Sequence, residues 1–511
     1  MKPEISASFS QSLSRRLPEL VAALILFLVI ISLWLPFGFT NGFIGDGWSF
    51  YINARHGASW GALDRPFLPL AYVIGYALAP GSFAGFNWML IILIFARSWL
   101  VYNILREFSL PPLFRFAVAL VLAVFPADEG VFYAGALNVY LSWVAYLAAF
   151  YCLLRYWQRP HIITLTGMWI ALILNLGIYE AAYPLILVSP LMVLLLKRKS
   201  WRIWRGVAFR WYLFPVLNVI RVFLTLLLVP QDFHYQSQLA ARGPALLEMF
   251  DNLGFVYERH FFTAWFQHEL LTSDWLIALG ISVICLAACL GMLRYFQKNA
   301  SRDFSSRDYL YLLLVGMAVV TLSMLVILPT LLSRETVRVY FMTSVGAALA
   351  LVALLRLLLK NDRSFSVGIS VVILLAFGQL LQQHRHDIAA ANAEKQVVMD
   401  IMQIFPRLEP YSALVVIDES GTSGLETILW TRWHFHAPFY VLYDDPTLAI
   451  ALCYPDDDPA VSTHYCEFEE NAVTAHIGPF ITWSRPYDMV HAVRYTAERE
   501  FVLADTLSYR P

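Results

Sequence analysis

The sequence predicts a polytopic α-helical membrane protein with a small extracytoplasmic α/β domain at its C-terminal end. The chain has 511 residues, of which 59% are hydrophobic and only 14% are charged, whereas soluble globular chains carry about 25% charged residues. Apolar segments long enough to cross a bilayer recur as far as residue 383. From about His384 the chain becomes polar, and short β-like segments alternate with turn residues.

Eleven apolar segments are predicted to span the membrane, at about 17–37, 86–105, 113–127, 134–156, 163–179, 182–197, 206–229, 275–295, 309–331, 339–359 and 365–383. The first is predicted to be a retained helix, because no small-residue cleavage site follows it. Pro66–Pro80 has only 15 residues and contains three prolines, so it is predicted to lie in the membrane interface.

The distribution of basic residues predicts the orientation. With eleven spans and a cytoplasmic N-terminus, the inner segments hold 19 lysines and arginines and the outer loops hold 6. A further span at Pro66–Pro80 would reverse this bias, so the positive-inside rule favours the interfacial assignment. The predicted organisation is a transmembrane domain over residues 1–383, with a first outer loop at 38–85, and an extracytoplasmic domain over 384–511.

The extracytoplasmic domain is predicted to begin with a polar helix over Gln382–Met402. Its predicted strands are Ala413–Ile417, Phe439–Leu442, His464–Phe468, Ala472–Ile477 and Val490–Tyr495. Cys453 and Cys466 lie in this polar part of the chain and are candidates for a disulfide, which would need an oxidising compartment.

Charge and cysteine content narrow the function classes. A net charge of −1 gives no field that would attract nucleic acid. The five cysteines show no metal-type spacing, and Cys152, Cys285 and Cys289 lie in apolar segments as small core residues. The predicted outer loops, in contrast, collect acidic and basic residues, so any chemistry is predicted on the outer face.

The first outer loop contains Asp46 between two glycines, followed by Trp48. Glycines allow a ligand to approach the backbone closely, and a carboxylate there could take a proton from an attacking hydroxyl. Trp48 could stack on a sugar or anchor the loop at the interface. Arg55 and His56 of the same loop are candidate substrate-binding residues. The alternative for Asp46 is an ordinary solvated loop aspartate.

Three further outer segments carry candidate residues. Asp128 and Glu129 follow a proline at a helix end, where one carboxylate could serve a site while the other caps the next helix. Glu180 ends an apolar helix, where a carboxylate is paired or raised in pKa. Arg334 and Arg338 are four residues apart, so in a helix both could grip a lipid-linked phosphate. Two arginines beside lipid headgroups are the alternative.

These motifs together resemble the GT-C superfamily of membrane glycosyltransferases, which use polyprenyl-phosphate sugars. The resemblance covers roughly residues 17–200 and rests on Asp46, Asp64-Arg65-Pro66, Phe86-Asn87-Trp88, Phe125-Pro126 with Asp128-Glu129, and Tyr179-Glu180-Ala181. It implies a GT-C-like fold and an inverting sugar transfer on the extracytoplasmic face. Asp46 matches the aspartate that acts as base, Asp128 and Glu129 match the second acidic position, and Arg334 or Arg338 matches residues that bind the lipid phosphate.

The chain departs from this family at the first loop. Many members carry a tandem acidic pair there, whereas this chain has the single Asp46. This departure weakens the case for a metal-dependent reaction. A divalent metal ion is a possible cofactor, and no residue is assigned as its ligand.

The sequence thus predicts an enzyme of a bacterial-type plasma membrane, a hexosyl- or pentosyltransferase. Its predicted partners are a polyprenyl-phosphate-linked sugar, a glycan, lipid or protein acceptor, and membrane lipids. A transporter or flippase is the alternative from another class, for which Asn175, Asn218 and Arg221 are the candidate residues within spans. A polymerase or ligase of lipid-linked oligosaccharides is a third interpretation.

Overall fold

A computed structural model describes residues 4–40, 46–55, 65–197, 201–228, 246–269, 273–296, 304–329, 340–420, 425, 435–445, 447–454, 464–477 and 481–509. The described chain forms a helical bundle followed by an α/β domain. The helices are α1 Glu4–Ile31, α2 Asp46–Arg55, α3 Leu70–Leu78, α4 Ala84–Glu107, α5 Pro112–Ala123, α6 Leu137–Gln158, α7 Ile162–Ile178, α8 Tyr183–Lys197, α9 Trp201–Leu228, α10 Leu246–Phe261, α11 Asp274–Phe296, α12 Ser306–Met324, α13 Tyr340–Leu358, α14 Asp362–Ile404 and α15 His436–Tyr443.

The bundle confirms a polytopic α-helical membrane protein. Within the described residues, seven helices are long and apolar enough to cross a membrane, namely α4, α6, α9, α11, α12, α13 and α14. Shorter apolar helices lie at Glu19–Ile31, Pro112–Ala123, Ile162–Ile178 and Tyr183–Leu194. Every predicted span overlaps one of these helices. The number of eleven crossings stays a prediction, because the short helices fall below the usual spanning length.

Glycines bring two pairs of helices into close contact. A Cβ atom on Gly316 of α12 would lie 2.6 Å from the carbonyl oxygen of Gly346 on α13, and the reverse distance is also 2.6 Å. A Cβ atom on Gly85 of α4 would lie 1.9 Å from the carbonyl oxygen of Gly75 on α3. Small residues permit such close backbone approach between membrane helices. The helix α3, nine residues long, lies within Pro66–Pro80, the segment predicted to be interfacial, and it packs against α4.

The helix α14 joins the bundle to the C-terminal domain without a break. It has 43 residues, which corresponds to about 65 Å at the helical rise of 1.5 Å per residue. The predicted domain boundary at 383/384 therefore falls inside a continuous helix. Near this point Gln379 and Gln382 bond to the backbone of His268 and Glu269, which ties the loop after α10 to α14.

The C-terminal domain has three layers. Its strands are β1 Ala413–Asp418, β2 Ala449–Cys453, β3 His464–Phe468, β4 Ala472–Ile477, β5 Ile481–Pro486, β6 Val490–Tyr495 and β7 Phe501–Leu503. One sheet has the order β2-β1-β6-β7, in which β1 is parallel to both neighbours and β7 is antiparallel to β6, and the other has the antiparallel order β3-β4-β5. One face of β1 packs on α14 and α15, and the other packs on β4. This double burial explains its continuous apolar run.

Most of the predicted strands are confirmed, and one is wrong. The strands β3, β4 and β6 have the predicted bounds, and β1 extends one residue further. The predicted strand Phe439–Leu442 lies instead inside α15. Phe435, Phe439 and Tyr443 follow one another at intervals of four residues, and their successive rings are in contact along one side of the segment. These contacts require helical spacing, so the segment is a helix and not a strand. The disulfide Cys453–Cys466 is present and links β2 to β3.

Candidate active site

The predicted outer segments meet at one end of the bundle, which we call the α2 end. Helix α2 packs on α3 through Phe50 and Tyr72, whose rings stack at 4.0 Å between centroids. The Tyr72 hydroxyl donates to the carbonyl oxygen of Gly135 at 2.9 Å, which connects α2 and α3 to the segment that follows Asp128 and Glu129. Arg65 lies 4.9 Å from the ring centroid of Tyr179, which connects the first outer loop to the segment that contains Glu180.

Several predicted site residues have side chains outside the described part of the chain. Asp46 is the first residue of α2, Glu129 begins the 3-10 turn Glu129–Phe132, and Glu180 begins the 3-10 turn Glu180–Ala182. The structure describes the backbone of these three residues but not their side chains. His56, Arg334 and Arg338 lie entirely outside the described residues. The roles assigned to these six residues stay predictions.

Asp128 is fully buried beneath the α2 end and is paired with Arg97 of α4, which is also fully buried. The Tyr140 hydroxyl donates to the other Asp128 oxygen at 2.7 Å. The Arg97 guanidinium also donates to the carbonyl oxygens of Leu122 and Phe341 at 3.0 Å and lies 4.0 Å from the Phe341 ring centroid. Because both carboxylate oxygens are engaged, this geometry favours a positioning role for Asp128 over proton transfer.

Arg97 was not predicted as a site residue, although the sequence contains a signal for it. An ionisable residue inside an apolar segment is costly and points to a structural or functional pair. Arg97 lies in the segment 86–105. Asp128 was predicted as a site residue, but its ion pair with Arg97 was not predicted. The pair joins α4 to the loop after α5, and the bond to Phe341 adds α13.

Arg55 and Trp48 face the C-terminal domain. The Arg55 guanidinium pairs with Asp444 at 2.7 Å and donates to the carbonyl oxygen of Val441 at 3.4 Å. Asp444 ends α15 in a left-handed conformation. Trp48 and Tyr51 line a cleft between α2 and the C-terminal domain. The predicted substrate-binding role of Arg55 stays a prediction, and the observed contact attaches α2 to α15.

A histidine and an arginine at the end of α10 were not predicted as site residues. His260 is fully buried, and its Nδ1–H donates to the carbonyl oxygen of Val256 at 2.8 Å. Burial, together with the nearby Arg259 guanidinium, lowers the pKa of His260 to about 4. Both residues contact the Tyr340 ring, with centroid distances of 5.1 Å for His260 and 5.7 Å for Arg259. Tyr340 directly follows the segment that contains Arg334 and Arg338.

An apolar cavity of about 330 Å³ lies inside the bundle below the α2 end. Residues of α4, α6, α8, α12 and α13 line it. On α13 the lining runs from Met342, next to Phe341, to Leu349, a helical rise of about 10 Å. The cavity therefore extends into the bundle from the level of the Arg97–Asp128 pair.

The residues that would serve a transporter make contacts within and between helices. The Asn175 amide donates to the backbone and hydroxyl oxygens of Ser142 at 2.8 Å and so joins α7 to α6. The Asn218 amide donates to the Tyr183 hydroxyl and joins α9 to α8. Arg221 donates to the Asn218 side chain at 2.7 Å. These contacts fit interhelical hydrogen bonding.

No group of three or more histidine, cysteine, aspartate or glutamate side chains among the described residues could hold a metal ion. The Asp46 side chain lies outside that set, so the first loop is not tested by this result. The divalent metal ion stays a prediction.

Comparisons with known proteins identify no matching family model and no matching curated protein. Among solved structures, the chain is similar to the crystal structure of ArnT from Cupriavidus metallidurans bound to undecaprenyl phosphate. The similarity covers 86% of this chain and 86% of that chain, with 14% sequence identity and a TM-score of 0.41.

Proposed function

We propose that this protein is a membrane glycosyltransferase that moves a sugar from a polyprenyl phosphate to an acceptor hydroxyl on the extracytoplasmic face. One observation carries the proposal. Segments distant in sequence converge at the α2 end, where the helix that begins at Asp46 contacts the segment that follows Glu129, and Arg65 contacts Tyr179, next to Glu180. Arg259 and the start of α13 lie at the same end, above the buried Arg97–Asp128 pair.

In the proposed reaction the acceptor oxygen attacks the anomeric carbon of the donor sugar. The bond between this carbon and the phosphate oxygen breaks as the new glycosidic bond forms, so the configuration inverts. The Asp46 carboxylate takes the hydroxyl proton, as a general base does. Glu129 and Glu180 belong to the same proposed site, where they would bind sugar hydroxyls.

The donor phosphate would lie beside Tyr340. The Arg259 guanidinium is 5.7 Å from the Tyr340 ring centroid, and the chain just before Tyr340 contains Arg334 and Arg338. Guanidinium groups bind phosphate through paired hydrogen bonds and stabilise the leaving charge. The apolar cavity that begins at Met342 would accept part of the polyprenyl chain.

The Arg97–Asp128 pair would position this site from below. It joins α4, the loop after α5 and α13 through one hydrogen-bonded network. Loss of the pair would therefore move the start of α13 relative to α2. We assign Asp128 a positioning role and leave the proton transfer to Asp46.

Replacement of Asp46 by asparagine tests the proposal. The protein would be reconstituted in liposomes with a radiolabelled polyprenyl-phosphate sugar and an envelope lipid extract, and transfer to the extract would be measured. We expect Asp46→Asn to abolish transfer without lowering the melting temperature. The matched control is Asp488→Asn at an exposed position of the C-terminal domain, which should transfer normally. Full activity of Asp46→Asn would remove Asp46 from the mechanism.

Binding of the lipid phosphate can be measured separately from transfer. A ligand that binds only the folded state raises its melting temperature, so polyprenyl phosphate should stabilise the wild type and Asp46→Asn alike. Arg259→Gln should reduce this shift, whereas Arg363→Gln at an exposed position should not. Movement of intact donor across the bilayer without breakage of the sugar–phosphate bond would instead support a flippase.

A further inference from the structure

A second cavity lies between α2 and the C-terminal domain, and the proposed chemistry does not use it. Its volume is about 490 Å³, within the range of about 300–1,000 Å³ typical of small-molecule sites. One wall consists of α2 and the turn before α4, the opposite wall is the polar part of α14, and α15 closes one side. We call this cavity the α2–α14 cleft.

Three aromatic rings form one wall of the α2–α14 cleft. Trp48 and Tyr51 both contact the Phe83 ring edge to face, with centroid distances of 5.0 Å and 5.3 Å. Tyr51 is nearly buried, with 6% of its surface exposed, whereas Trp48 is only partly buried. The rings are therefore fixed by their neighbours before any ligand arrives, and such preorganisation lowers the entropic cost of binding.

The opposite wall supplies hydrogen-bond donors and, from the buried Glu394 of α14, a carboxylate that accepts hydrogen bonds. Asn392 and Lys395 are three residues apart on α14, so they project from the same face of the helix. Both side chains are exposed and line the cleft. Thr40, at the end of the chain segment that follows α1, adds a hydroxyl. An amide, an ammonium group and a hydroxyl thus face a wall of aromatic rings.

We infer that the α2–α14 cleft binds a pyranose ring of the acceptor. A pyranose has an apolar face of C–H groups, which suits an aromatic wall, and an edge of hydroxyl groups, which suits amide and ammonium donors. A purely apolar ligand would accept no hydrogen bond from Asn392 or Lys395. A small anion has no apolar face that could pack on the rings of Trp48 and Tyr51.

The position of the cleft connects it with the proposed reaction. Trp48 follows Asp46 by two residues, or about 3 Å of helical rise, and positions at this spacing lie on different faces of a helix. A sugar held against Trp48 would therefore lie beside the helix that begins with the proposed base. This inference rests on the proposed function for its acceptor role, but the binding of a pyranose can be tested without any transfer.

The acceptor sugar could belong to a free glycan or to a glycolipid. Met399 and Leu442 also line the cleft, and 41% and 43% of their surfaces are exposed. A lipid-anchored sugar could lay the start of its chain on these two residues. A methyl pyranoside and an octyl pyranoside share the sugar chemistry and differ only in this apolar part.

Saturation-transfer NMR on the full-length protein in lipid nanodiscs tests the inference. The probes are methyl pyranosides of glucose, galactose and mannose, with empty nanodiscs as background. We expect at least one probe to receive saturation on its ring protons. Trp48→Leu and Asn392→Leu should each weaken its binding about threefold to tenfold, as expected for the loss of one ring face or one hydrogen bond. Trp48→Phe should retain most of the binding.

The matched control is Gln396→Leu, because Gln396 is an exposed amide on α14 that does not line the cleft. This variant should bind like the wild type. Absence of saturation for all three probes, or wild-type binding by both Trp48→Leu and Asn392→Leu, would overturn the inference. Melting temperatures of all variants would separate loss of binding from loss of folding.

Two further measurements separate the possible results. Asp46→Asn should bind the pyranoside normally while transfer is lost, so a failure of the catalytic proposal leaves this binding result standing. If the octyl pyranoside displaces the methyl pyranoside at lower concentration in the wild type but not in Leu442→Gln, the acceptor is a glycolipid. If the octyl pyranoside has no advantage over the methyl pyranoside in either protein, the acceptor is a free glycan.

Discussion

Arg97 and Asp128 are charged residues without solvent exposure, and this burial determines what their replacement should do. Removal of one partner from a buried ion pair leaves an uncompensated charge, which costs about 3–5 kcal/mol, whereas replacement of both by apolar residues is often nearly neutral. The network around this pair also uses Tyr140 and the backbone of Phe341. The main expected effect of replacing one member of the pair is therefore a loss of folding stability.

We predict that Arg97→Met and Asp128→Leu each destabilise the protein by several kcal/mol, and that the double variant is more stable than either single variant. Unfolding in mixed detergent micelles would measure the three free energies. The reference pair is Arg106 with Glu19, which is partly exposed, so Arg106→Met should cost less than about 1 kcal/mol. Additive effects of Arg97→Met and Asp128→Leu would contradict a direct interaction.

His260 makes the stability depend on pH. Its folded-state pKa is lowered to about 4 from the ordinary 6.5, so the unfolded state takes up a proton first as the pH falls. The contribution of His260 to stability should therefore be complete above pH 6.5 and decline between pH 6.5 and 4, by up to about 3 kcal/mol. The buried His384, whose pKa is also lowered to about 4, should add a decline over the same range.

Thermal unfolding of the wild type and of His260→Leu across this pH range would measure the effect. The variant should show a shallower decline below pH 6.5, and the two curves should run parallel above it. Identical slopes over the whole range would exclude His260 as the source of the pH dependence.

At the scale of elements, the contact between α3 and α4 fixes the position of α2, the helix in the first outer loop. Gly85 and Gly75 allow the two helices to touch, and α2 in turn packs on α3. No side chain is tolerated at this contact without movement of the backbone. The orientation of the candidate catalytic helix thus depends on a glycine about forty residues further along the chain.

We predict that Gly85→Ala lowers stability by about 1–3 kcal/mol, the usual cost of overpacking, and that it also lowers transfer activity by shifting α3 and α2. The control is Gly280→Ala on α11, where no atom lies within 4 Å of the added Cβ. There the better helix propensity of alanine should leave stability equal or slightly higher. Melting temperatures and transfer rates of both variants would check this prediction.

For the whole molecule, α14 determines how the C-terminal domain is attached to the bundle, and the disulfide links two strands within that domain. The continuous helix sets the direction in which the domain leaves the bundle, and Arg55 with Asp444 adds a second connection through α2. The disulfide closes a loop with a sequence separation of 13, for which a stabilisation of about 3 kcal/mol is typical.

The predicted topology places Cys453 and Cys466 on the extracytoplasmic side, so reagents should reach them only from that side. After treatment of intact cells with a membrane-impermeant phosphine, an impermeant maleimide should label both thiols. Inverted membrane vesicles should show no such labelling, and the Cys453→Ser/Cys466→Ser variant serves as the blank. Labelling confined to inverted vesicles would reverse the predicted orientation.

The sequence by itself determined the helical bundle and most strands of the C-terminal domain. In a bilayer the backbone must satisfy its hydrogen bonds within each segment, so apolar length alone predicts a helix. Three strands matched their predicted bounds because alternation and turn residues mark them locally. The signal for Arg97 was also local, since an arginine interrupts an apolar segment.

Only the tertiary structure decided which polar residues meet. Arg97 and Asp128 are 31 residues apart, and Arg55 and Asp444 are 389 apart, and no pattern along the chain specifies such pairs. The continuity of α14 and the helical state of Phe439–Leu442 were likewise decided by packing, since short apolar segments fit either period. The α2–α14 cleft exists because residues from both ends of the chain pack together, and pairing at such distances depends on the folded shape as a whole.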